Sequence, residues 1–143
     1  MQRRTALLPI FAVVLLAGAV ALSGCGGTDA GAKKSAIGGN WKGMLNGSGA
    51  VTFQADVDIN TLRTGSVSGT VYFPGIGGSG ACSGALVYEG MSGSEYLFNE
   101  DLVARANPQC IKLGKVRISP EDGGKAIKYA WSSGKNTAVG ILK

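Results

Sequence analysis

The chain has 143 residues, a formal net charge of +5, three cysteines and no histidine. That length supports one small domain with a modest core once a leader is set aside. Without histidine, Ser-His-Asp and Cys-His catalysis are excluded along with the commonest metal ligand, and the basic residues are too scattered for a nucleic-acid surface.

Gln2-Arg3-Arg4 opens the chain, and an uncharged apolar run of about 17 residues follows over 6–22. A basic head before an apolar stretch is the layout of an export signal. The run is at the short limit for a helix spanning a bilayer. At its end, Leu22-Ser23-Gly24-Cys25 resembles the bacterial lipobox, an aliphatic residue and two small ones before a cysteine. The resemblance implies a signal peptide over 1–24, a diacylglyceryl group on the Cys25 thiol, and Cys25 as the mature N-terminus. A buried cysteine or a plain transmembrane anchor are the alternatives. The expected location is the outer face of the cytoplasmic membrane, with the lipid as the membrane partner. Arg3-Arg4 also hints at twin-arginine export, but its flanks fit that pattern poorly.

Residues 25–39 are mostly Gly, Ala, Ser, Thr and Lys. They cannot bury a core and read as a flexible tether with a reach of roughly 20 Å. Lys33 and Lys34 either attract anionic headgroups or simply keep the tether soluble. Cleavage removes Arg3 and Arg4 and no acidic residue, leaving a mild positive excess.

From Trp41 onward the chain has the period of strands. In the stretch 53–60, Phe53, Ala55, Val57 and Ile59 take one face, and Gln54, Asp56, Asp58 and Asn60 the other. The alternation and the Gly, Asn, Ser and Pro punctuation predict eight strands, near 40–46, 50–60, 66–74, 81–89, 94–104, 110–118, 126–132 and 137–143. Short connections favour a meander. Eight strands in a meander suit an all-β, eight-stranded antiparallel up-and-down barrel over 40–143. Closure removes the exposed edges that invite aggregation.

Cys82 and Cys110 are left once Cys25 is acylated. In an exported chain such a pair reads as a disulfide. It closes a loop of about 29 residues, worth roughly 3.5 kcal/mol in the chain-entropy model. The alternatives are two free thiols or a metal site, and two cysteines without histidine suit zinc poorly.

Gly39-Asn40-Trp41 near the start and Lys143 at the end resemble the lipocalin-like barrels, in which a basic side chain from the closing strand covers a tryptophan on strand one. A wider pattern spans nearly all of 41–142: Trp41-x-Gly43, Gly69-Thr70-Val71 with Pro74, Cys82-Ser83-Gly84, Glu100, Cys110, Gly114-x-Val116, Tyr129-x-Trp131 and Ala138-x-Gly140-x-Leu142. It resembles the small extracellular β domain of actinobacterial lipoproteins and receptor-type serine/threonine kinases. That resemblance implies the Cys82–Cys110 bridge and an envelope location, and no substrate. The glycine run before Cys82 is longer than the pattern leads one to expect.

Several motifs carry chemistry elsewhere. Residues 132–135 spell Ser-x-x-Lys at a turn, without the partner motifs of penicillin-binding enzymes. Residues 75–80 spell G-x-G-x-x-G, but the next segment is strand-like and offers no helix N-terminus for a pyrophosphate. Asp56 and Asp58 share an outward face and read as solvated carboxylates rather than a calcium site. Glu100 stands apart. Alternation places it on one face with Tyr96, Phe98 and Leu102, among apolar residues, where a carboxyl must be paired or protonated. It is either a ligand contact inside the barrel or a structural polar site, with a tyrosine hydroxyl or a backbone amide as its expected partner.

No cofactor or metal is expected. The leading expectation is a non-enzymatic, membrane-anchored envelope lipoprotein with a binding or interaction role. One alternative is an inhibitor of a secreted lysozyme or protease, with Gly47-Ser48-Gly49-Ala50 or Gly78-Ser79-Gly80 as its loop. Another is a carrier of a small apolar ligand, against which the many glycines and short strands predict a filled interior.

Overall fold

The computed structural model describes residues 35–76, 80–102 and 110–143. Eight strands form one closed antiparallel barrel in chain order: β1 (Gly39–Gly47), β2 (Val51–Ile59), β3 (Val67–Phe73), β4 (Cys82–Ser92), β5 (Glu95–Leu102), β6 (Leu113–Glu121), β7 (Ala126–Ser133) and β8 (Asn136–Leu142). The fold is the up-and-down barrel that the alternation predicts. Lys42 and Lys143 exchange backbone hydrogen bonds of 2.9 Å in both directions, and the seam continues through Asn46 opposite Val139. In β2, Ala55, Val57 and Ile59 are buried, whereas Lys42 of β1 donates to Asp56 outside at 2.6 Å.

The two ends of the barrel differ. At the end where β1 begins, Trp41, Ile59, Ile118, Ile127 and Leu142 fill the interior. Ile37 is fully buried there, and its carbonyl accepts the Trp41 indole N–H at 2.8 Å. The folded unit therefore begins before residue 40, and the last residues assigned to the tether belong to the domain. One apolar side chain suffices, because it closes the floor that the small barrel leaves open. The β1–β2, β3–β4, β5–β6 and β7–β8 connections meet at the opposite end. There a disulfide joins Cys82 to Cys110, with Cα atoms 5.7 Å apart. It ties the start of β4 to the segment leading into β6.

The sixth strand and the end of the fourth differ most from the sequence expectation. The sixth strand runs three residues later than 110–118, since β5 pairs with β6 only between Asp101–Leu113 and Tyr96–Ile118 while Cys110 is held to Cys82. Past Ile118 the strand has β7 alone as a neighbour, so Pro120 is tolerated within it. Gly90, between the expected strands 81–89 and 94–104, lies inside β4 at a register shift between Tyr88 and Gly90. The turn itself is only Gly93-Ser94, between the paired Ser92 and Glu95.

Candidate ligand site at the open end of the barrel

The interior is not filled throughout. At the end opposite Ile37, a cavity of about 200 Å³ opens between Leu45, Phe53, Phe73, Leu102 and Ala138, with Ser48, Val51, Ile111, Asn136 and Thr137 around its rim. The meander produces this grouping. The last inward residues of odd-numbered strands and the first of even-numbered strands meet at one end. Phe53 and Phe73 pack edge to face, with ring centroids 5.6 Å apart, and make part of an apolar wall.

Glu100 and Trp131 also line the cavity. Glu100 sits one inward position deeper than Leu102 and is 1% exposed. On the outer face of β5, Asn99 donates to Glu89, which confirms the alternation that turns Glu100 inward. The Tyr129 hydroxyl, fully buried on β7, donates to Glu100 Oε2 at 2.5 Å. This is the tyrosine partner that burial of a carboxyl calls for. The other carboxyl oxygen, Oε1, is buried without a hydrogen bond, and so is Trp131 Nε1.

A glycine makes the arrangement possible. Gly114 stands opposite Glu100 in the β5–β6 register. A Cβ built on it would lie 1.9 Å from Trp131 Nε1, so the indole occupies space that any other residue would take. Burial pushes the Glu100 carboxyl up to about 7, against the opposing pull of the Tyr129 hydroxyl and the Trp131 indole N–H. The Trp131 indole N–H thus lies close enough to favour the carboxylate as a donor, although neither it nor Oε1 reaches the geometry of a completed hydrogen bond. Burial, reinforced by the Glu100 charge, pushes the Tyr129 hydroxyl well above its ordinary value.

The other singled-out residues fall elsewhere. Asp56 accepts from Lys42 and from Gln54 Nε2 at 2.8 Å, which holds its carboxyl below the usual range. No cluster of metal-ligating side chains occurs among the described residues. The stretch 75–80 leads into strand β4, and no helix follows it; residues 77–79 lie outside the described residues. So do residues 1–24, read as a signal peptide, and Cys25, Lys33 and Lys34. The loop after β1 is pinned to the barrel, with Ser48 N donating to the Thr137 carbonyl at 2.8 Å and Thr137 N to Ser48 Oγ at 3.2 Å.

The pairing of Glu100 with aromatic residues was visible in the sequence, but the cavity was not. Its signal lay in the strand order, since a meander with Phe53, Phe73, Leu102 and Ala138 at matching ends places them in one layer. Comparison of the chain with protein-family models, with curated proteins and with solved structures gave no match.

Proposed function

We propose that this protein is a lipid-anchored, non-enzymatic binding protein of the cell envelope, whose barrel takes a small apolar molecule into its open end. The observation that carries the binding reading is the apolar cavity lined by the buried Glu100, whose Oε1 completes no hydrogen bond. Buried polar atoms in native proteins are nearly always paired, and an unpaired one costs about 1–3 kcal/mol. Such a group at the base of an apolar pocket is the usual make-up of a small-molecule site. Glu100 is the one titratable side chain among the described lining residues, which suits holding a ligand better than paired acid–base chemistry.

The volume bounds the ligand. An apolar cavity of roughly 150 Å³ holds benzene, so about 200 Å³ suits a single ring, a short chain, or the end of a longer molecule. The anchoring reading rests on Leu22-Ser23-Gly24-Cys25 and the uncharged run before it. The Cys82–Cys110 bridge supports export, because structural disulfides persist in oxidising compartments.

Each half has its test. Cys25→Ser should leave an uncleaved precursor and abolish labelling with a fatty-acid analogue; normal labelling of that variant would end the anchoring claim. A ring-sized apolar probe, toluene, should bind saturably and raise the melting temperature as its concentration passes Kd. A cavity that takes no ring-sized probe is not a binding site.

A further inference from the structure

Glu100 Oε1 and Trp131 Nε1 form a matched pair of opposite need. Both are buried, both lack a hydrogen-bond partner, and both side chains line the same cavity. Glu100 is oriented from behind, because the Tyr129 hydroxyl holds Oε2 and leaves Oε1 as the free oxygen. Trp131 is positioned by the absence of a side chain at Gly114. The two orphaned atoms are therefore set by the fold, on elements of the barrel wall.

We propose that the ligand carries a hydroxyl on a small apolar body, its oxygen seated between Glu100 Oε1 and Trp131 Nε1. This rests on the reading of the open end as a binding cavity. An indole N–H only donates, and an ionised carboxylate only accepts. The seated group must therefore accept one hydrogen bond and donate one, and a hydroxyl is the smallest organic group that does both. An alkylammonium satisfies Glu100 but turns its hydrogens against the indole N–H. A carboxylate satisfies Trp131 but brings a second negative charge to Glu100. A hydrocarbon leaves both atoms unpaired in an apolar surround. The hydroxyl also serves when Glu100 is protonated, since it can accept from the acid. The rest of the molecule lies against Phe53, Phe73 and Leu45, which offer contact and no polar specificity.

The test is a series of single-ring probes, benzyl alcohol, toluene, benzylamine and benzoate, titrated at measured free concentration into the anchored protein in phospholipid nanodiscs. The readout is the two indole N–H resonances of the chain. Trp41, bonded to the Ile37 carbonyl at the other end of the barrel, is the internal control. Benzyl alcohol should bind about tenfold tighter than toluene or better, and should shift the Trp131 resonance while leaving that of Trp41 in place. Trp131→Phe, followed by the rise in melting temperature with each probe, should erase most of the preference for the alcohol over toluene. Equal binding of toluene and benzyl alcohol means that water, or a direct bond from Trp131 to Glu100, serves the polar pair, and the hydroxyl assignment falls while the cavity reading stands. Tightest binding of benzylamine or benzoate overturns it in the same way. If none of the four binds, both readings fail.

Discussion

Glu100 is a carboxyl whose environment opposes its charge, and this has consequences for stability. Its folded value of about 7 lies above the ordinary 4.5 of a glutamate carboxyl, so the folded state holds the proton more tightly than the unfolded chain. The stability linked to that proton is complete below the unfolded value and is lost as pH rises through about 7. The full loss is roughly 3 kcal/mol. Denaturant melts at pH 5 and pH 8.5 should show the protein weaker at the higher pH, and Glu100→Gln should flatten that difference. Glu100→Leu should behave differently at pH 5, since it strands the Tyr129 hydroxyl and costs about 1–3 kcal/mol. Adding Tyr129→Phe should recover most of that cost. A double variant as weak as the single one would show that the Tyr129–Glu100 bond is not the source.

Elements β6 and β7 hold the site together through one missing side chain. Gly114→Ala would place a methyl where the Trp131 indole now lies. It should displace the ring, cost about 1–3 kcal/mol as overpacking does, and change the Trp131 indole resonance while sparing that of Trp41. Gly140 plays a similar part across the seam, where an added Cβ would meet the Met44 carbonyl oxygen at 2.2 Å. A barrel this narrow coils its strands until inward positions touch neighbouring backbone, and glycine is the residue that fits there. The disulfide acts at the same end as the cavity. Cys82→Ala with Cys110→Ala should lower stability by roughly 3.5 kcal/mol if chain entropy governs, and hydrogen exchange should rise first at the start of β4 and before β6.

At the scale of the whole molecule, the two ends of the barrel differ in filling. The chain enters at the end plugged by Ile37 and Trp41, and the cavity opens at the other. On the proposed anchoring at Cys25, the attachment is on the side of the plugged end and the mouth opens at the other. Ile37→Ala should cost about 2–4 kcal/mol, as truncation of a fully buried side chain does, with toluene binding at the mouth unchanged. Loss of binding in that variant would show that the two ends are coupled through the core.

The fold was legible because strand alternation is a local signal. Phe53 to Ile59 assign their own faces, and short connections allow little beyond a meander. Glu100 could be turned inward by the same count of two. The start of the sixth strand could not be placed this way, because pairing with β5 and the bond of Cys110 to Cys82 set it, and both partners are remote in sequence. Ile37 was lost among small polar neighbours, since local composition cannot show which single apolar residue finds a gap to fill. The cavity belongs to the tertiary structure for the same reason. Which inward side chains leave space depends on how eight strands coil and close, and on Gly114 admitting an indole from the next strand. The sequence alone determined an eight-stranded barrel with an inward acid. Only closure of the barrel left that acid one oxygen without a completed hydrogen bond, on a residue that lines a cavity.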